Sequence, residues 1–128
     1  TDNVSELTAR VNDEGWENSY KNYLKGSKLN SNDVVMVYSV GGGSKEKNTF
    51  VNLVNCIDYS KEIGCKIISV IGKETGYANK KSDVCLVFDI DDSNFVTPIT
   101  EGLTSVIWHF LVSHPNLMEN KTTWESIK

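Results

Sequence analysis

Three short apolar runs alternate with helical segments along this chain, and that alternation restricts the possible folds more than any other feature. The runs, at residues 34–38, 66–71 and 84–88, are too short for helices and rich in β-branched residues. Every connection between them is long enough for a crossover. The sequence therefore predicts a three-layer α/β fold, in which helices on both sides bury the strands of a parallel sheet.

The predicted helices have recognisable boundaries. The tetrapeptide at residues 12–15 is typical of a turn, and apolar residues then recur at helical spacing from Trp16 to Gly26. A second helix has an apolar face that begins at Phe50, and we expect it to end at Gly64. Thr97 and Pro98 predict the start of the longest apolar helix, because a hydroxyl cap followed by proline is a common first turn.

Composition narrows the class of protein. A length of 128 residues is that of a single domain, and a net charge of −4 with a pI near 5.1 argues against a nucleic-acid partner. No apolar run reaches membrane-spanning length, so we expect a cytoplasmic protein without a membrane partner. The three cysteines lie in apolar segments, which is typical of reduced thiols in a core.

A glycine-rich turn follows the first apolar run. Residues 39–44 read Ser-Val-Gly-Gly-Gly-Ser, and a helical pattern comes after them. Glycines allow backbone N–H groups to approach an anion, and the next helix directs its positive dipole end to the same point. The same pattern also occurs as a plain tight connection. In a parallel sheet this turn lies at the carboxyl edge, where ligands bind.

The long C-terminal helix contains the other candidate chemistry. His109 follows Glu101 by eight residues, about two helical turns. An imidazole and a carboxylate in this relation can share a metal ion or divide acid and base roles. A histidine among apolar residues is also compatible with a purely structural role in the core.

Four stretches together carry a resemblance to a known family. They are residues 5–16, residues 33–44 with the glycine turn, residues 67–76 with Gly-Lys-Glu-Thr-Gly, and residues 99–111. In this order they resemble the sugar isomerase (SIS) domain family, and within it the phosphoheptose isomerases. The family's first helices and first phosphate turn have no counterpart here. We therefore expect residues 1–128 to be the C-terminal portion of a single SIS domain, inactive when alone.

The resemblance also implies roles for individual residues. It implies that Asn12 and Asp13 contact the sugar, and that Ser39 and Ser44 occupy hydroxyl positions of the phosphate loop. Val40 and Gly41 stand where the family usually has further hydroxyl residues, so backbone N–H groups would bind more of the phosphate. Glu101 and His109 of the C-terminal helix also match family positions, where a shift of one residue in the alignment would place Thr100 and Trp108 instead.

For Glu101 and His109 the resemblance implies roles in binding and catalysis. Glu101 falls near a glutamine that contacts substrate and metal, and His109 falls on a zinc ligand that also transfers protons. The implied activity is isomerisation of sedoheptulose 7-phosphate to a heptose 7-phosphate, for nucleotide-activated heptose and surface polysaccharide. The implied partners are the sugar phosphate, zinc and further copies of the chain, as a tetramer. The alternative is a non-catalytic sugar-phosphate-binding or regulatory module.

Overall fold

The computed structural model describes residues 3–121 and 123–124, which form alternating helices and strands. Within this part of the chain the elements, in order, are α1 (Val4–Glu14), a short 3-10 turn (Trp16–Asn18), α2 (Ser19–Gly26), β1 (Val34–Ser39), α3 (Val51–Ile63), β2 (Lys66–Ile71), α4 (Tyr77–Lys81), β3 (Val84–Val87) and α5 (Val96–Ser113). The strands form one parallel sheet in the order β1-β2-β3. The predicted strands and parallel sheet are confirmed.

The two faces of the sheet meet different helices. Val35 and Val37 of β1 are buried in the main core together with Ile57 of α3. Tyr38 meets Trp108 of α5 edge-on, with 6.4 Å between ring centroids. Because successive residues of a strand point to opposite faces, α3 and α5 lie on opposite sides of the sheet. The three-layer architecture is therefore confirmed.

The expectation of strands buried on both faces holds for β2 and is wrong for its neighbours. Every residue of β2 after Lys66 is buried or half-buried. By contrast, the side chains of Val34 and Met36 in β1 are 53% and 42% exposed, and Val84 in β3 is 60% exposed. The reason is that α5 packs at the carboxyl end of β1, against Tyr38, and the described residues leave Val34, Met36 and Val84 of the same face largely uncovered.

Two helix boundaries differ from the predictions. Residues 12–14 continue α1 instead of forming a turn, and the helix ends at Gly15, whose φ of 81° breaks the helical path. Phe50 lies outside α3, at its N-terminal cap position, in a left-handed conformation with φ of 51°. Its side chain is 54% exposed, so it does not belong to the apolar face of α3.

The start of α5 is also earlier than predicted. The helix begins at Val96, so Thr97 lies inside its first turn and does not act as the cap. The physical reason is the preceding turn, in which the Asp92 carboxylate accepts a hydrogen bond from the Asn94 N–H at 2.9 Å. This turn starts the helical path before Thr97 is reached.

Other expectations agree with the structure. Gly64 ends α3 in a left-handed conformation with φ of 81°, and Cys56 and Cys65 are buried. Burial is the main reason that the pKa of the Cys56 thiol rises to about 11, which makes the thiol unreactive at neutral pH. Among the described residues, no helix combines the length and the apolar character needed to cross a membrane.

Candidate functional site

The glycine turn after β1 depends on two residues with left-handed backbone. Gly42 and Gly43 have φ of 69° and 75°, values that other residues rarely adopt. Both also lie close to neighbours. A Cβ on Gly42 would be 3.1 Å from the Cα of Gly76, and one on Gly43 would be 3.1 Å from Cγ2 of Val54. Both the conformation and the space therefore require glycine here.

This turn docks onto the loop that follows β2. The Tyr77 N–H donates to the Gly43 carbonyl at 2.8 Å, and the Ala78 N–H donates to the Gly42 carbonyl at 2.9 Å. Gly76 approaches so closely that a Cβ there would lie 2.7 Å from the carbonyl oxygen of Gly41. The carboxyl ends of two neighbouring strands are thus joined into one rigid rim.

A pocket of about 890 Å³ opens beside this rim. The glycine turn, the insert after it, the β2–α4 loop, α4 and the first turns of α5 form its walls. Its lining residues are Val40, Gly41, Gly43, Ser44, Lys45, Glu46, Lys47, Thr49, Phe50, Lys73, Thr75, Tyr77, Lys80, Thr97 and Glu101. The pocket lies at the carboxyl edge of the parallel sheet, where ligands of α/β proteins bind.

The chemistry of the glycine turn suits an anion. Among the described residues, the N–H groups of Gly41 and Gly43 have no hydrogen-bond partner. The hydroxyl oxygen of Ser39 accepts the Gly42 N–H at 3.1 Å, and that of Ser44 accepts the Lys47 N–H at 3.2 Å. Each hydroxyl keeps its own hydrogen for a ligand oxygen. A ligand at this turn would therefore meet donors from both backbone and side chains.

A three-residue cluster fixes one wall of the pocket. The Lys45 Nζ lies 2.6 Å from Oδ2 of Asp58, and the Tyr77 hydroxyl donates to Oδ1 of the same carboxylate at 2.5 Å. The hydrogen bond to Asp58 raises the pKa of Lys45 to about 12. Partial burial raises the pKa of Asp58, but the hydrogen bonds from Lys45 and Tyr77 outweigh it and lower the pKa overall. The ion pair therefore persists across the neutral range.

The structure brings together only part of the predicted site. Val40, Gly41, Ser44 and Glu101 line the pocket, whereas Ser39, the last residue of β1, is not part of the lining. Asn12 and Asp13 do not line it. They are exposed on α1, where the Asn12 Nδ2 donates to Oδ1 of Asp13 at 2.8 Å.

Glu101 and His109 have different surroundings. Glu101 lines the pocket, whereas the His109 ring contacts Trp108 and Trp124, with centroid distances of 5.9 and 5.5 Å. Eight residues of helix separate the pair by about 12 Å along the axis. Within the described residues, no group of three or more His, Cys, Asp or Glu could hold a metal ion. The described residues alone therefore do not provide the zinc site that the resemblance implies.

Sequence reasoning missed the lysines of the pocket. Lys73 and Lys80 reach it from the β2–α4 loop and from α4, and Lys45 and Lys47 reach it from the insert after Ser44. The rule that ligands bind beyond the carboxyl ends of parallel strands could have indicated Lys73 and Thr75, which follow β2 directly. No local pattern marks Lys80, which the sheet order brings to the site.

Two solved structures share the architecture of this chain. The parallel sheet between helical layers agrees with the fold expected of an SIS domain, and both structures superpose on it. A phosphoheptose isomerase from Francisella tularensis superposes with a TM-score of 0.66 at 18% identity, over 84% of this chain and 55% of that one. Phosphoheptose isomerase GmhA from Neisseria gonorrhoeae gives 0.63 at 19% identity, over 84% and 56%.

Sequence comparison points to the same proteins. The chain is 29% identical to a phosphoheptose isomerase of Helicobacter pylori (strain Shi470) and 31% identical to one of Geotalea daltonii, each over 108 residues. It is also 29% identical over 114 residues to the lincomycin biosynthesis protein LmbN of Streptomyces lincolnensis. No family model matches the chain. The chain is similar to these phosphoheptose isomerases over 84% of its own length and spans between 41% and 50% of the length of these relatives.

Proposed function

We propose that this chain provides the phosphate-binding part of an aldose–ketose isomerase that acts on sedoheptulose 7-phosphate. The observation that carries the proposal is the pocket at the carboxyl ends of β1 and β2, where the glycine turn presents unpaired N–H groups. The similarity to phosphoheptose isomerases over 84% of the chain supports the choice of substrate.

The phosphate of the sugar would bind at the glycine turn. The N–H groups of Gly41 and Gly43 donate to its oxygens, and the hydroxyls of Ser39 and Ser44 add two further donors. Charge-assisted hydrogen bonds of this kind are roughly twice as strong as neutral ones. The phosphate therefore anchors the substrate, and the rest of the sugar extends into the pocket.

The reaction itself moves two protons. A base removes the proton on carbon 1 next to the ketone at carbon 2 while oxygen 2 gains a proton, which gives an enediol. An acid then returns a proton to carbon 2 while the hydroxyl proton on oxygen 1 is lost. Glu101 is the carboxylate that α5 contributes to the pocket, so we assign it one of these transfers. His109 is proposed as the second proton carrier, acting where another subunit completes the site.

A second copy of the chain would cover the apolar side of α5. Leu103, Val106 and Phe110 share one side of α5 and are 39%, 59% and 61% exposed, which is unusual for apolar residues of one helix. A subunit packed there would bury them and enclose His109. We therefore propose a homo-oligomer, a tetramer by resemblance, in the cytoplasm. Size measurement of Phe110→Asp tests this proposal: a smaller assembly is expected, and an unchanged one contradicts it.

The activity is tested with the full-length gene product and sedoheptulose 7-phosphate. Loss of a group that transfers protons typically lowers kcat by about 10²- to 10⁴-fold. We expect such a loss for Glu101→Gln and for His109→Ala, while Glu62→Gln, an exposed residue of α3, serves as the matched control. Equal activity in Glu101→Gln and wild type would remove Glu101 from the chemistry.

A binding or regulatory module is the second candidate function. It is favoured by the position of His109, which contacts two tryptophan rings instead of the pocket. The two functions differ in turnover. Binding of sedoheptulose 7-phosphate with no isomerisation by the full-length protein supports the module, and measurable turnover supports the isomerase.

A further inference from the structure

The insert after Ser44 forms a defined structure at the pocket. Ser44 and Thr49 pair as an antiparallel bridge, each donating its N–H to the other's carbonyl at 2.9 and 3.0 Å. Asn48 takes a left-handed conformation with φ of 50°, which closes the turn between them. We call residues 44–49 the lysine hairpin, after Lys45 and Lys47.

The lysine hairpin is attached to two helices. Lys45 pairs with Asp58 of α3, and Asp58 in turn accepts the hydroxyl of Tyr77, the first residue of α4. The Lys45 Nζ also lies 4.9 Å from the centroid of the Tyr77 ring, within the range of a cation–π contact. The charge of Lys45 is thus matched by Asp58, and the hairpin keeps a fixed position at the pocket.

Three other lysines of the pocket keep unmatched charges. Lys47, Lys73 and Lys80 come from the hairpin, the β2–α4 loop and α4, and none forms an ion pair within the described residues. Glu46 and Glu101 are the carboxylates of the lining. These two carboxylates offset two of the three lysine charges, so the pocket keeps a small positive excess although the chain as a whole has a net charge of −4. A positive excess favours an anionic ligand.

The donors of the glycine turn can bind one phosphate without using these lysines. The glycine turn already offers four donors to one phosphate through Gly41, Gly43 and the two serines. The pocket volume of about 890 Å³ lies near the upper end of the range for small-molecule sites. Space and three lysine side chains without ion pairs therefore remain for a second anionic group.

We propose that the pocket binds a sugar with two phosphoryl groups, one on the glycine turn and the other held by Lys47 of the lysine hairpin with Lys73 and Lys80. The first of these positions rests on the proposed function, and the second does not. A phosphate on carbon 1 prevents that carbon from becoming an aldehyde. A sugar phosphorylated there occupies the pocket without being isomerised, and its binding can be measured apart from turnover.

Calorimetric titration at fixed ionic strength tests the proposal, with fructose 6-phosphate and fructose 1,6-bisphosphate as probes. The bisphosphate is expected to bind at least about tenfold more tightly, as one added charge-assisted contact would give. Lys47→Gln should remove most of that advantage and leave the monophosphate affinity unchanged. Lys47→Arg should restore it, and Lys28→Gln, a charge removed outside the pocket, should have no effect.

The outcomes separate this inference from the proposed function. Equal affinity for the two probes would overturn the second subsite while leaving phosphate binding at the glycine turn intact. A bisphosphate advantage that persists in Lys47→Gln would overturn the role of the hairpin. If neither probe binds, the proposed function fails together with the second subsite.

Discussion

Substitution of Gly76 by alanine tests the contact that joins the two loops of the pocket. Gly76 has φ of −60° and ψ of 145°, which alanine adopts without strain, so the substitution adds only a methyl group. That methyl would lie 2.7 Å from the carbonyl oxygen of Gly41 and 3.0 Å from the Cα of Gly42. Both are backbone atoms, so no rotation of a side chain relieves the overlap, and one loop must move.

The size of the effect follows from these distances. Ordinary contacts of a Cβ begin at 3.4 Å, so the glycine turn has to retreat by several tenths of an ångström. Overpacking of this kind costs about 1–3 kcal/mol in free energy of unfolding. For a domain of this size, each kcal/mol lowers Tm by roughly 3–5 °C. The shift also displaces the N–H groups of Gly41 and Gly43, so phosphate affinity should fall.

Urea unfolding followed by circular dichroism measures the first effect, and calorimetric titration with sedoheptulose 7-phosphate measures the second. Gly102→Ala is the matched control, because a Cβ there meets nothing within 4 Å and alanine favours a helix by up to about 1 kcal/mol. If Gly76→Ala is as stable as this control and binds as tightly as wild type, the two loops do not touch as described.

Three further changes test other parts of the fold. Gly72→Ala would overlap the buried Thr100 hydroxyl and should lower the free energy of unfolding by about 1–3 kcal/mol. Adding Thr100→Ala should recover about half of this loss in a double-mutant cycle measured by urea unfolding, and no recovery would contradict the packing of α5. Asp83 accepts hydrogen bonds from Lys61, the Ile67 N–H and Lys66, which lower its pKa, so its stabilisation is present above the ordinary pKa of 3.8 and is lost as pH falls further. Asp83→Asn should therefore lower Tm at pH 7, with a difference from wild type that narrows below about pH 4; a difference independent of pH refutes this role. Ile57→Ala removes a fully buried side chain of the core and should cost about 2–5 kcal/mol, whereas a loss under about 1 kcal/mol would place Ile57 outside the core.

The strands were predictable because their signal is local, but their burial was not. A short apolar run reads the same whether one face or both are covered, so β2, with Ile67 and Ile71 fully buried, looked no different from β3. Exposure of Val84 depends on where α5 packs, and that position results from tertiary contacts. Phe50 was misplaced for a related reason, since the hairpin before it starts α3 one residue later than the apolar pattern does.

The functional site, like the fold, was predictable only where its residues are close together in the sequence. The glycine turn was visible because strand, glycines and helix are consecutive in the sequence. Lys73 and Lys80 come from other segments, and only the parallel order of the strands brings them beside Ser44. The spacing of Glu101 and His109 suggested a shared role, but their side chains have different surroundings, because eight residues turn a helix by more than two full turns.

The central claim, that a sugar phosphate binds where β1 and β2 end, is tested most directly by mapping the ligand onto the backbone. Titration of the ¹⁵N-labelled chain with sedoheptulose 7-phosphate should shift the amide resonances of residues 40–44 and 73–78 first and most strongly. Shifts confined to the exposed face of β1 and β3, or no shifts at all, would contradict the account.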